Sequence, residues 1–268
     1  MSERLAGGKL VLDRPAEAVA RIRISNPERR NALDHEILDM LAETLSRLDH
    51  GIETRCVLIT GAPPAFSAGY DLTAIPAETF ERDAEALVAH PFHDAMEALA
   101  SHPWPTVAAI NGHCLGGGLE LAMTCDLRIC AAGAKLGMPP AKLGLVYSHT
   151  GLRKFLDTLG LARTKELFLT GRNFGAERAE QIGLVHEVVD DAFFEATAVE
   201  LAAGIAGNAP LSMRGNKRAI EVLNSNPVLS EQQESGLIAL RESCFASEDL
   251  REGIEAFAEK RKPRWKGQ

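Results

Sequence analysis

Glu120 is the carboxylate of this chain with the most chemical setting around it. It stands in the first turn of a helix-like run, directly behind Gly116, Gly117 and Gly118, in the stretch NGHCLGGGLELAMTCD (Asn111–Asp126). Glycine inside a helix costs about 1 kcal/mol relative to alanine, so three in a row need a reason. A second glycine turn, AFSAGYDL (Ala65–Leu72), follows another apolar run. The N–H groups that open a helix lack intrahelical acceptors and carry positive partial charge. Bare of side chains, they let a ligand oxygen approach closely. Two such donors, one from each turn and aimed at one point, make an oxyanion hole, which stabilises a thioester enolate without a metal. For either turn alone, close packing of helix on strand is the simpler reading.

Other chemistries are excluded residue by residue. Neither G-x-G-x-x-G after a strand nor G-x-x-x-x-G-K-[ST] occurs, so no dinucleotide or P-loop site is expected. HEILD and HEVVD each lack the second histidine of a zinc protease, and no metal is expected. AFSAG is one residue short of a hydrolase elbow, and no histidine follows His186 to complete a triad. A formal charge of −8 over 268 residues argues against a nucleic-acid partner, and the basic EKRKPRWK near the end reads as a solvated, partly frayed tail. Five cysteines, an odd number without C-x-x-C, point to buried thiols in a reducing compartment. No apolar run reaches the ~18 residues that span a bilayer, and a cytoplasmic protein is expected.

The elements that must position these residues alternate. AVARIRIS places Ala20, Ile22 and Ile24 on one face and Arg21 and Arg23 on the other, a half-exposed strand. Ala32–His50 carries Leu33, Ile37, Leu41, Leu45 and Leu48 on one stripe, an amphipathic helix. RCVLIT and TVAAI read as buried strands, each leading into a glycine turn, with DLRICA a further strand. Thr73–His102 is polar, helix-prone and weakly patterned, the composition of a movable flap. A helix is expected from about Leu119 to Thr124. Later helices are expected over 164–170, 176–181, 191–204, 211–223 and 230–243. A last one is capped by Ser247 and ends near Lys260, and LVHEVV is the one late strand. The pattern predicts an α/β core followed by helices.

AFSAGYDL, INGHCLGGGLELAMTCDLRICA and GMPPAKLGL resemble, in content, order and spacing, the crotonase superfamily of enoyl-CoA hydratases and isomerases. The resemblance extends through NPERRNAL, KELFLTGR, AERAEQIGLVHEVV and EGIEAFAEKRKP, nearly the whole chain. It implies an α/β fold, a spiral core of ββα turns over residues 1–200 bearing an acyl-CoA site. A helical trimerisation region over 201–268 would follow, in a homotrimer or a homohexamer built as a dimer of trimers. It puts the oxyanion donors at the backbone N–H groups of Tyr70 and Gly117. It puts CoA contacts at Glu28, Arg29, Ala32, Ala65, Phe66 and Ala68, with Gly116 and Pro140 at the substrate and Asp71 orienting its turn. Lys260 is implied as a phosphate contact. The CoA thioester is the substrate, and no further cofactor is implied.

One departure bears on the reaction. Family members that hydrate double bonds carry two acids; one corresponds to Glu120, and the other lies twenty positions on, where this chain has Pro140. Syn-addition of water needs a group to activate water and a source for the α-proton, and proline is neither. The segment Gly137–Gly151, GMPPAKLGLVYSHTG, is similar to the methylmalonyl-CoA decarboxylases of the family, with proline in the second acid's place and a tyrosine at Tyr147. Tyr147 and His149 thereby join Glu120 as candidate catalytic groups. Hydration or isomerisation, decarboxylation, thioester hydrolysis, and plain CoA-thioester binding all remain open at this level. His113 and Asp126 are expected to be structural.

Overall fold

The computed structural model describes residues 2–71, 78, 86, 88–226 and 228–268. Strands β1 (Glu3–Leu5), β2 (Leu10–Ala16) and β3 (Val19–Ile24) form an antiparallel meander. From β3 the sheet continues in parallel through β4 (Cys56–Gly61), β6 (Thr106–Ile110), β8 (Leu127–Ala131) and β11 (Glu187–Val189). A second sheet collects β5 (Ala65–Ser67), β7 (His113–Leu115), β9 (Lys135–Gly137) and β10 (Asn173–Gly175), in the order β10-β9-β7-β5. The chain thus passes from the large sheet to the small one and back, β4 to β5, β6 to β7 and β8 to β9. That is the spiral of ββα turns.

Helices close each turn: α1 (His35–Leu48), α2 (His93–Ala100), α3 (Gly117–Thr124), α4 (Pro140–Leu143), α5 (His149–Thr170), α6 (Ala176–Gln181) and α7 (Phe194–Ala206). Side chains alternate across the central strands, as the strand period of two requires. Val57, Ile59, Ala108, Ile110 and Cys130 face α1, α2 and α3; Cys56, Leu58, Val107, Ala109 and Ile129 face α7. Parallel strands covered on both faces read as continuous apolar runs, which is why CVLITG and TVAAI are wholly buried. Helix α7 meets the sheet through Phe194, Ala198, Ala202 and Ala206, an i, i+4 stripe. Residue 200, the domain edge expected from the sequence, falls inside this helix.

After α7, α8 (Pro210–Ser225), α9 (Glu231–Ala246) and α10 (Glu248–Glu259) bury few residues. Ile220, Leu223, Phe245, Ile254 and Phe257 on these helices are exposed. The tail beyond α10 corrects the expectation of a frayed end. Arg261 pairs with Glu252 (2.6 Å), Trp265 Nε1 donates to the Gly207 carbonyl (2.7 Å), and the Lys266 and Gly267 amides donate to the Asp249 carboxylate (2.7 and 2.9 Å). Ser247 caps α10 as expected, accepting from the Leu250 amide.

Several boundaries also differ. Helix α1 opens at His35, because Asp34 accepts from the Ile37 amide and Leu33 is committed to a bridge with Tyr70. The run 149–170 is one element broken at Gly160, whose φ of 71° and ψ of 172° interrupt the helix. The strands of the small sheet have three residues each, too short to show alternation, and are defined by their mutual pairing. Among the described residues no helix is long and apolar enough to cross a membrane.

Candidate active site

The corner after β5 is built by a buried asparagine. Asn31, at φ 57°, donates its side-chain amide to the carbonyls of Ala62 (2.7 Å) and Ala65 (2.6 Å) and accepts from the Asn26 N–H (2.9 Å). Asparagine tolerates this left-handed backbone better than most residues. Main-chain bonds add to the seam: Ala68 N–H to Arg30 O (3.0 Å), Leu33 N–H to Gly69 O (2.7 Å) and Asp71 N–H to Leu33 O (2.9 Å). Because Asp71 N–H points at Leu33, the Tyr70 N–H before it points the other way. The structure therefore brings the Arg29–Leu33 segment, Arg29 and Ala32 included, beside Ala65, Phe66, Ala68 and Asp71. Arg29 lies 3.7 Å from the Asp71 carboxylate, while Ala32, Ala65 and Phe66 are buried and Glu28 is exposed.

The second corner abuts the first. A methyl group at Gly69 (φ 93°) would sit 3.0 Å from the Gly117 nitrogen and 2.9 Å from the Leu115 carbonyl oxygen. Gly116 takes φ 53° and donates its N–H to Gly137 O (2.9 Å). Its neighbours need glycine for space instead. A Cβ on Gly117 would lie 2.6 Å from the Tyr70 ring, and one on Gly118 would lie 2.6 Å from the Ser67 carbonyl. The Leu119 and Glu120 amides close the first turn of α3 onto Gly116 O, and the Gly117 amide meets no acceptor among the described residues.

Glu120 is 3% exposed, and the Tyr147 hydroxyl donates to its Oε2 at 2.6 Å. Tyr70 Oη lies 3.4 Å from Tyr147 Oη. With the one Tyr147 proton given to Glu120, Tyr70 is the donor in that contact. Helix α5 makes room: a Cβ on Gly151 would fall 2.7 Å from both Glu120 Oε2 and Tyr147 Cε1. Ser148 caps that helix, accepting from the Gly151 amide (3.1 Å), and so fixes where Tyr147 leaves it. The rings are wedged edge-on, Tyr147 against Phe168 and Tyr70 against Phe92. Burial pushes the Glu120 carboxyl above the usual carboxylate range, opposed by the Tyr147 bond and by Lys154 and His93. Burial and the Glu120 charge raise the Tyr147 and Tyr70 phenols.

Glu120 opens on a cleft of about 740 Å³ between α2 and the start of α5, lined by Phe92, His93, Met96, Glu97, Ser148, His149, Thr150 and Lys154. His149 is exposed on its rim. Pro140 is buried at the start of α4, three residues past the Gly137 that holds Gly116. Lys260 is exposed at the C-cap of α10. His113 is exposed, and Asp126 orders its loop by accepting from Thr106 and Lys217. The flap expected over 73–102 falls in part on residues 73–77, 79–85 and 87, outside the described residues. Among the described residues no three His, Cys, Asp or Glu side chains gather as metal ligands.

Sequence reasoning missed Gly151, Lys154 and the specific role of Asn31. The three-residue spacing of Gly151 and Lys154 places both on one helix face, a signal that becomes readable only once that face is known to meet Glu120.

The spiral, the two abutting glycine corners and the buried carboxylate are the features of a crotonase-type protein. The sequence profile of the enoyl-CoA hydratase/isomerase family matches residues 14–268. The short-chain enoyl-CoA hydratase of Clostridium acetobutylicum is 32% identical over 249 residues, covering 91% of this chain and 92% of its own. The carnitinyl-CoA dehydratase of Escherichia coli K12 is 34% identical over 254 residues, 93% of this chain and 95% of its own. The crystal structure of an enoyl-CoA hydratase from Bacillus anthracis superposes with a TM-score of 0.88 at 33% identity, covering 97% of this chain and all of the other. The chain belongs to the enoyl-CoA hydratase/isomerase family of the crotonase superfamily.

Proposed function

We propose that this protein acts on acyl-CoA thioesters through an enolate, with Glu120 as its proton carrier. The observation that carries the reading is the buried Glu120, held by Tyr147 beside two abutting glycine corners. In this reading the thioester oxygen accepts from the Tyr70 and Gly117 amides, which stabilise the charge that develops on it. The Glu120 carboxylate takes a proton from the α-carbon, the C–H pair moves into the enolate, and the carboxylic acid returns the proton. Tyr147 positions Glu120 through its hydrogen bond. The CoA moiety lies along the seam between Glu28–Ala32 and Ala65–Ala68, and no further cofactor enters the reading.

Pro140 favours one second reading. Hydration, the reaction named for the Clostridium relative, uses two proton-handling groups, and proline supplies none. Chemistry complete with the enolate asks less of the site. Decarboxylation breaks the α-carbon to carboxylate bond, sends its electrons to the thioester oxygen, releases CO2 and takes one proton from the acid form of Glu120. The exposed Ile220, Leu223, Phe245, Ile254 and Phe257 support a trimer or a dimer of trimers in which the C-terminal helices meet other subunits.

The test is exchange of α-hydrogens of butyryl-CoA in deuterated water, followed by mass spectrometry. Exchange is expected, and Glu120→Gln is expected to lower its rate about 10²–10⁴-fold. Tight binding without exchange, and without turnover of malonyl-CoA or methylmalonyl-CoA, would leave a CoA-thioester-binding protein in place of an enzyme.

A further inference from the structure

Lys154 is a half-buried ammonium that forms no close ion pair among the described residues. It lies on α5, one turn past Gly151, and lines the cleft onto which Glu120 opens. Among the described residues it makes neither a hydrogen bond nor an ion pair. Its attraction to Glu120 is felt at longer range, and burial outweighs it, lowering the ammonium's affinity for its proton. A charge withdrawn from water without a partner is costly, and such groups are normally paired. An anion seated against Lys154 in the cleft would pair it directly.

The cleft is mixed: Phe92, Met96 and Ala100 give it an apolar side, the Glu97 carboxylate lies 3.8 Å from His93, and the polar groups gather around Lys154. Ser148, His149 and Thr150 bring hydroxyl and imidazole groups to the same wall, and His93 stands on the opposite one. An alkyl terminus laid against the Lys154 wall would strip water from these groups and offer nothing in return, whereas the methylenes before it can rest on Phe92 and Met96. A carboxylate would accept from the polar groups and neutralise Lys154.

Resting on the reading that acyl-CoA thioesters are the substrates, we infer that the acyl group placed in this cleft carries a carboxylate, which pairs with Lys154. That carboxylate is one the reaction retains. Pairing a departing carboxylate with an ammonium would stabilise the ground state and raise the barrier to its loss. Lys154 is thus a specificity residue for dicarboxylic acyl thioesters.

Calorimetric titration of the full-length protein with two matched pairs tests the inference: glutaryl-CoA against valeryl-CoA, and adipyl-CoA against hexanoyl-CoA. Each pair differs only by carboxylate for methyl. The wild-type protein is expected to bind one or both carboxylated thioesters at least about tenfold more tightly than the alkyl partner. Lys154→Gln is expected to collapse that ratio about tenfold, and Lys154→Arg to keep most of it. Equal affinity within both pairs, or a preference that survives Lys154→Gln, overturns the inference. If Lys154 serves only to tune Glu120, Lys154→Gln changes both members of a pair alike and shifts the pH profile of α-hydrogen exchange, which also overturns it. Binding and exchange of valeryl-CoA without a carboxylate preference sinks the inference alone. No binding of any of the four thioesters sinks the acyl-CoA reading with it.

Discussion

Tyr147 donates its hydroxyl proton to Oε2 of Glu120 across 2.6 Å, at a carboxylate almost wholly removed from water. The two facts pull in opposite directions. Burial disfavours the ionised form and raises the pKa; the hydrogen bond favours the ionised form and lowers it, and burial is the larger. Tyr147→Phe removes only the second influence, so Glu120 should hold its proton to still higher pH. The acid limb of α-hydrogen exchange is expected to move upward, with the rate recovering towards wild type above that limb. A loss of rate equal at every pH would show instead that the Tyr147 hydroxyl itself moves the proton.

Gly151 is the clearance for this pair. A methyl group there would meet Glu120 Oε2 and the Tyr147 ring at 2.7 Å, closer than unbonded atoms pack. Alanine favours a helix interior by about 1 kcal/mol, which offsets part of an overpacking cost of about 1–3 kcal/mol. Gly151→Ala should therefore unfold within about 2 kcal/mol of wild type in urea. Displacing the carboxylate by the better part of an ångström should cost about 10²-fold in exchange rate. Unchanged exchange would mean that Glu120 has freedom the packing does not suggest.

Asn31 holds the other side of the site. Its side chain makes three bonds to backbone groups at a buried, left-handed position. Asn31→Ala leaves two carbonyls and one N–H without that partner and should destabilise by about 2–4 kcal/mol in chemical unfolding. Amide exchange at Leu33, Ala68 and Asp71 should accelerate together, since these bonds close the same seam. Asn31→Asp tolerates the backbone but replaces the donor with an acceptor facing the Ala62 and Ala65 carbonyls, so it should not rescue. Rescue by aspartate would show that backbone conformation, not donation, is what the position requires.

The parts of this site that could be read in advance are those contiguous in the chain. Gly116, Gly117, Gly118 and Glu120 announce themselves because a helix start, its glycines and its carboxylate are neighbours. The β4 and β6 strands are legible because burial on both faces makes them continuous apolar runs. The Glu120–Tyr147 bond joins residues 27 apart, and nothing local says that α5 returns its first turn to α3. Gly151 reads as an ordinary helix glycine and Lys154 as an ordinary surface lysine until that return is known. The tail misled for a related reason. A basic run reads as solvated, whereas its folded position depends on Glu252, Asp249 and the Gly207 carbonyl, all supplied from elsewhere.

Pro140 tests the cost of the absent acid. It opens the short helix α4 next to the strand end that holds Gly116, and glutamate at a first helical position is favourable to the helix dipole. Pro140→Glu gives up the restricted backbone of proline, about 0.4–1 kcal/mol through the unfolded chain. If the second proton-handling group is the main deficit, crotonyl-CoA hydration should rise by about 10²-fold or more over wild type. A folded variant with no gain would place the deficit in the shape of the cleft.

His102 predicts how stability, as distinct from activity, depends on pH. Its side chain is 2% exposed between α2 and β6, and its Nε2 has no hydrogen-bond partner among the described residues. Burial, and then the positive charge of Lys217, lowers its pKa to about 4; Asp49 and Asp126 pull it up, and Arg214 pushes it down further. The native state therefore resists a proton that the unfolded chain accepts near pH 6.5. For a folded pKa depressed in this way, the stabilisation is complete above pH 6.5 and declines as pH falls towards 4, where the native state begins to bind the same proton. The decline attributable to this residue is on the order of 3 kcal/mol across that window. Urea unfolding at pH 7 and pH 4.5 should show it as a larger drop for wild type than for His102→Gln, whose amide does not titrate. The carboxylates that titrate in the same range are common to both proteins and cancel in the comparison. Equal drops would mean that His102 gains a proton in the folded protein as readily as in the unfolded one, through a rearrangement of the Trp104–Lys217–Asp126 contacts that surround it.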